Sequence, residues 1–323
     1  MFVAMMCFSL MFSQCRNSAA EEFKVKGGLR LHLVVDQSQL SDAHENTVAI
    51  LSRRIKSYGA PFTLEWVEDK KYFLLEMADV KEPERVMKML NSNGVLEFWE
   101  TFNIKEIYSN LIEADAALKS VLPSEQNAEE FEQQHPLFSK LAISSQGGEL
   151  IPGPIVGYVS KDEVNTVSKY LEMPEVKSVL PFNIEFKWAA KPINEDARHY
   201  ELYALKKVGR TKEDEKFGGD IVEEAASGRN EYDYYVTLQM TPEAGRQWQR
   251  MTKENIGRNI AIVVDGVVYS APVVMSEIIG GRSMISGNLT HEEVKDLANI
   301  LNSGIISAKV TVVHNEIVPP QNK

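Results

Sequence analysis

Cysteine is almost missing from this chain of 323 residues: only Cys7 and Cys15 occur, both within the first fifteen positions. The body after them can form no disulfide framework and no thiolate metal site. The six histidines (His32, His44, His135, His199, His291, His314) are scattered, and no two stand at metal-ligand spacing. A Gly-x-Ser-x-Gly elbow is absent, which removes the usual serine-hydrolase signature. The 46 acidic residues offer no pair that position alone selects for acid–base work. No enzymatic activity, metal or cofactor is therefore expected. Basic charge is also in deficit, with 35 Lys and Arg giving a net charge of −11 and no long basic cluster, so nucleic acid is not an expected partner. Long apolar runs are missing too. The best of them, residues 1–12, falls short of the ~20 apolar residues that a membrane-spanning helix needs.

What is present is ordinary globular composition, 44% hydrophobic and 25% charged, enough for sizeable cores in two domains. Residues 1–15 read as an export leader, because the apolar stretch has the length of a signal-peptide core and a polar boundary follows. Cys15 at that boundary, after Leu10, Phe12 and Ser13, resembles the lipobox of bacterial lipoproteins, which makes Cys15 the expected lipidation site. A short uncleaved anchor and the end of a longer hydrophobic segment remain alternatives. All three place the body outside the inner membrane and tether it there.

The body has the element order of an α+β protein. Residues 29–35 alternate apolar and polar positions as a half-buried strand does. A helix follows over 43–58, then strands over 62–67 and 72–77, a helix opened by Pro83, and a strand over 95–101. This is a βαββαβ order, read as a ferredoxin-like module over residues 24–102. Residues 103–199 read as an insertion or linker, helical over 104–122 and 161–171, with a glycine- and proline-rich loop over 144–157. A second α+β module is expected over 200–313, with a tail to 323. In it, residues 219–226 read as a short helix and 232–240 as an alternating strand. Thr241-Pro242 opens a helix, and Asp265-Gly266 is a hairpin turn. Thr290 to Glu293 forms a capping box for the helix that Gly304 ends.

Several features have both a packing and a functional reading. Gly280-Gly281 lacks the Lys-Ser/Thr and helix that a phosphate loop requires, so it reads as a tight turn. Asp265 and Gly266 are accounted for by their turn. Met240, Met251, Met275 and Met284 read as core filler. Tyr232, Tyr234 and Tyr235 are either cross-strand packing or a contact surface for an unfolded chain, with Tyr232 and Tyr234 expected on one strand face.

Two regions resemble SecD, the accessory subunit of bacterial protein export. Lys26-Gly27-Gly28-Leu29 running into the first strand, Arg53-Arg54-Ile55 ending at Gly59, and Leu96-Glu97-Phe98 are similar to the base of that family's first periplasmic domain. The longer match runs through Thr252 to Gly257, the Ile262–Asp265-Gly266 hairpin, Ser270-Ala271-Pro272, Ile279-Gly280-Gly281, Ile285-Ser286-Gly287 and the helix of residues 292–304. The resemblance implies a base module and a mobile head that holds emerging polypeptide. The expected partners are thus unfolded or exported polypeptides and the Sec translocon or SecD/SecF subunits. In the family, further membrane helices carry the acidic residue linked to proton flow. Residues 318–323 stand where the next such helix begins, so a free-standing or lipid-tethered copy of the periplasmic domain is expected. A lipoprotein scaffold docking on SecD/SecF or another envelope complex, and a fragment of a split SecDF gene, are the alternatives.

Overall fold

A computed structural model describes residues 18–35, 41–123, 129–193, 198–207 and 221–321. The expected leader, with Cys15, lies outside them. Residues 18–26 form helix α1. Next come β1 (Gly28–Val35), α2 (Ser41–Tyr58), β2 (Phe62–Val67), β3 (Tyr72–Ala78) and α3 (Pro83–Asn91). The middle of the chain supplies β4 (Leu96–Glu100), α4 (Ile104–Val121), α5 (Glu130–Gln134), β5 (Leu141–Ile143), β6 (Ser145–Gln146), β7 (Glu149–Leu150) and β8 (Ile155–Ser160). It continues with α6 (Val164–Glu172), α7 (Pro174–Val179), β9 (Ile184–Pro192), β10 (His199–Lys206), β11 (Val222–Arg229) and β12 (Tyr234–Met240). Then follow α8 (Pro242–Glu254), β13 (Ile260–Val264), β14 (Val267–Ser270), β15 (Arg282–Ser286), α9 (His291–Ser303) and β16 (Val310–Val318). Two compact units result: residues 1–94 with 292–323, and residues 95–291. None of the helices among the described residues is long and apolar enough to cross a membrane.

The first unit is built on an antiparallel sheet of order β16-β1-β3-β2. Strict alternation in β1 drives Leu29, Leu31, Leu33 and Val35 into the core, against Ile50, Leu51 and Ile55 of α2 and Leu75 and Met77 of β3. The fourth strand differs from the sequence expectation. Residues 96–100 pair with β13 in the other unit's sheet, and β16 takes the place beside β1 over eight residues. The cause is long-range. β13 (IAIVV) is buried at all five positions, so it needs a strand on each side, and β4 and β14 supply them.

Arg54 sits wholly inside this unit. Its guanidinium donates to Ser303 Oγ (2.8 Å) and to the carbonyls of Met89 (3.3 Å), Ser92, Asn93 (3.2 Å) and Gly304 (3.0 Å). These acceptors are the orphan ends of α3 and α9, where carbonyls point out of the helix and carry its partial negative charge. Arg53 adds two bonds to the Ser303 carbonyl. Gly94 (φ +81°) leaves the space: a Cβ there would lie 2.9 Å from the Arg54 guanidinium.

The second unit holds a seven-stranded sheet of order β4-β13-β14-β9-β10-β8-β5, a three-stranded sheet β11-β12-β15, and the small β6–β7 hairpin. Residues 103–199 are therefore not a linker. α4 buries Ile104, Ile107, Leu111, Ala114 and Leu118 against Val156 and Val159 of β8 and Leu202 and Ala204 of β10. β8 and β9 both pair with β10, across the boundary expected near residue 200. The glycines of 144–157 conceal the strands: Gly147 (φ +60°) and Gly148 (φ +86°) turn the β6–β7 hairpin. Residues 222–229 (VEEAASGR) form β11 rather than a helix, because pairing with β12 overrides the helical preference of Glu and Ala.

Candidate functional site

The described part of the second unit carries several exposed apolar side chains beside α8. Thr241 caps that helix through the Ala244 amide, and Pro242 occupies the first turn, where its missing N–H costs nothing. Ala244, Gly245, Trp248 and Thr252 face inward, and the Trp248 ring meets Phe98 at 4.5 Å. Spacing then puts Arg246, Arg250 and Lys253 on the exposed side at i, i+4 and i+7.

Residues 271–281 run back along this helix from its C-terminal end to its first turn. Gly257 N donates to the Val274 carbonyl and Val274 N to the Arg258 carbonyl, both at 2.8 Å. Further along, Ile278 N donates to Thr252 Oγ1 (3.0 Å), and Gln249 Nε2 to Glu277 (2.6 Å). At the far end Gly280 (φ +84°) and Gly281 (φ +69°) make the turn, and a Cβ on Gly281 would lie 3.0 Å from Gly245 Cα. The double glycine thus serves a close backbone crossing over α8. Met240 N and Gln239 Nε2 donate to the Gly281 and Gly280 carbonyls at 2.8 Å.

Val274 and Gly281 are the buried residues of this segment. Met275 is 83% exposed and Ile279 72%, with Val273 and the adjoining Ile256 about half exposed. Met275 and Met284 are exposed rather than core, a correction to the sequence reading; Met240 is buried. The strand-pairing residues hide their neighbours, while the residues between them must face out. Composition could not distinguish the two classes of methionine. Among the described residues, Arg246, Arg250, Lys253 and Arg258 have no carboxylate within ion-pair distance. A depression of about 240 Å³ there is lined by Glu243, Arg246, Gln247 and Arg250.

The three tyrosines do not form one patch. Tyr232 lies ahead of β12 in a turn whose amides at 232 and 233 are held by Asn230 Oδ1, and it is 85% exposed. Tyr234 packs under the Arg229 guanidinium (5.2 Å) and beside His291 (5.3 Å). Tyr235 covers Gly228 of the paired strand, where a Cβ would meet its ring at 2.4 Å. Tyr232 and Tyr234 therefore share no strand face. At the β13–β14 turn Asp265 (φ +50°) and Gly266 (φ +83°) have the two positive dihedrals of a tight hairpin, and Asp265 Oδ1 accepts from Val95 N (2.9 Å). No cluster of three or more metal-ligating side chains occurs among the described residues.

Comparison with known proteins matches residues 199–308 to the family model "SecDF, P1 head subdomain". The chain is 29% identical over 311 residues to the protein translocase subunit SecD of Rhodothermus marinus, covering 88% of this chain and 48% of that protein. It is 26% identical over 282 residues to SecD of Calditerrivibrio nitroreducens, covering 86% and 41%. A shorter match to SecD of Desulfurispirillum indicum reaches 42% over 86 residues, 27% of this chain and 17% of that one. A solved structure titled "Structure and function of a membrane component SecDF that enhances protein export" aligns with 88% of this chain and 98% of its own at 19% identity and a TM-score of 0.47. The chain spans about half the length of the first curated relative it matches. Residues 199–308 are thus related to the P1 head subdomain of SecDF, and the chain over most of its length is similar to SecD.

Proposed function

We propose that this protein assists Sec-dependent protein export by non-covalent contact with translocating or unfolded polypeptide outside the inner membrane. The observation that carries the reading is the match to SecD, a protein translocase subunit, along 88% of the chain. The exposed apolar row of Ile256, Val273, Met275 and Ile279 lies within the segment related to the P1 head and supports it. Flexible Met and branched aliphatic side chains that project outward adapt to varied partners. Tyr232, and through their free edges Tyr234 and Tyr235, are proposed as a secondary contact. Cys15 is proposed as the lipid tether, and the Sec translocon or a SecD/SecF pair as the membrane partner.

In-cell photocrosslinking from Met275 and Tyr232, with Asp265 as an exposed control, tests this. Capture of several exported polypeptides together with translocon subunits supports it. Capture of one stoichiometric envelope protein and no export substrate at either position would replace it with a scaffold.

A further inference from the structure

The proposed polypeptide contact leaves open what kind of segment is bound, and the charges around the apolar row bear on that. Arg246, Arg250 and Lys253 line the exposed side of α8, and Arg258 follows in the bend ahead of β13, where its carbonyl accepts from Val274 N. Three carboxylates share the area: Glu243 and Glu254 on the helix, and Glu277, which is engaged by Gln249. None of the four cations is neutralised by an ion pair among the described residues, in a protein whose net charge is −11. Some other cations of the same unit are paired: Lys140 bridges Glu132 and Glu163, and Lys187 and Lys207 both meet Glu185.

We infer that this surface selects polypeptide segments in which apolar side chains are flanked by Asp or Glu. The inference rests on the polypeptide-contact reading. Ile256, Val273, Met275 and Ile279 supply contact area without sequence preference, and the cation row beside them supplies the sign. Exposed ion pairs are individually weak, so the preference is a sum of a few screened contacts and must vanish with salt. A flanking Lys or Arg would meet like charge, and repulsion of the wrong partner does as much for selectivity as attraction of the right one. A bilayer interface also attracts cations beside projecting apolar side chains. The carboxylates of Glu243 and Glu254, on the same helix as the cations, oppose a uniformly anionic plane, whereas an extended chain can place its charges away from them.

The test uses the whole purified protein and three fluorescent unstructured peptides with the same apolar residues, flanked by Asp/Glu, by Ser, or by Lys/Arg. Anisotropy should show the acidic peptide binding on the order of tenfold tighter than the basic one at low salt. The difference should close at about 1 M salt, where the Debye length is ~3 Å. The double variant Arg246→Glu/Arg250→Glu, both at exposed positions, should reverse the order while keeping its circular dichroism and unfolding midpoint. Equal binding of acidic and basic peptides overturns the charge preference and leaves the polypeptide contact standing. Absence of binding by all three removes both. Binding to phosphatidylglycerol vesicles, but to no peptide, would assign the surface to lipid and overturn the inference.

Discussion

Replacing Arg54 by methionine removes the donors that hold two helix ends together inside the first unit while keeping most of the side-chain volume. Five acceptors lose an Arg54 bond, Ser303 Oγ and the carbonyls of Met89, Ser92, Asn93 and Gly304, of which the Asn93 carbonyl still accepts from Ile306 N. A buried polar atom left unsatisfied costs about 1–3 kcal/mol. The bonds to Ser303 Oγ and Met89 are fully buried, whereas water reaches the other three in part. Counting the buried two in full and discounting the rest gives a loss of about 3–5 kcal/mol, the upper range for a single substitution. Arg54→Lys should lose about half of that, because one ammonium cannot reach both helix ends as a guanidinium fork does. A chain of two units need not unfold in one step, so the readout should be local. Hydrogen exchange followed by mass spectrometry should show protection falling in residues 83–94 and 300–306, with the second unit unaffected. Unchanged protection there, with an unfolding free energy within ~0.5 kcal/mol of the parent, would refute the argument.

Gly281→Ala forces a Cβ to 3.0 Å from Gly245 Cα at φ +69° and should cost the second unit about 1–3 kcal/mol in denaturant unfolding. Gly280→Ala, at φ +84° with open space around it, should cost less, and equal losses would remove the close crossing as the cause. Ser270 Oγ is buried without a hydrogen-bond partner among the described residues, so Ser270→Ala should be neutral or up to about 1 kcal/mol more stable; a clear loss of stability would mean that the hydroxyl is satisfied. His32 stacks on Tyr72 at 4.1 Å and lies 4.7 Å from His314. Burial first, then His314, Lys70 and Arg30, hold its pKa below the usual 6.5, against an opposing pull from Glu316. The unfolded chain therefore takes up the proton more readily. The stability that His32 contributes is present above pH 6.5 and is lost as pH falls below it. Unfolding of the first unit followed from pH 7.5 to 5 should weaken accordingly, and His32→Phe should flatten that dependence if the imidazole is responsible.

Much of the local structure was legible because it is set by neighbours in sequence. The alternation in β1, the Thr241-Pro242 helix start and the Asp265-Gly266 turn each depend on the dihedrals and faces of a few adjacent residues. The candidate surface was legible only in pieces. Tyr232, Tyr234 and Tyr235 stand out as a cluster, yet Tyr232 stays in the turn ahead of β12, and alternation along β12 separates Tyr234 from Tyr235. Met240 and Met275 look alike as residues in apolar runs, and the path of residues 271–281 along α8 separates the buried one from the exposed one.

Taken alone, the sequence determined the α+β class, the near-absence of cysteine chemistry, the element types of most of the first hundred residues, and the family resemblance. All of these reside in composition, short-range periodicity and motif order. Only the tertiary structure decided that β16 rather than residues 96–100 completes the first sheet, and that α4 and β8 pack into the core of the second unit. It also decided that Arg54 joins the ends of two helices far apart in the chain. Strand partners and buried acceptors are chosen by what remains unsatisfied across the whole fold, and a hydrogen-bonding edge does not record in its own residues which distant segment will cover it.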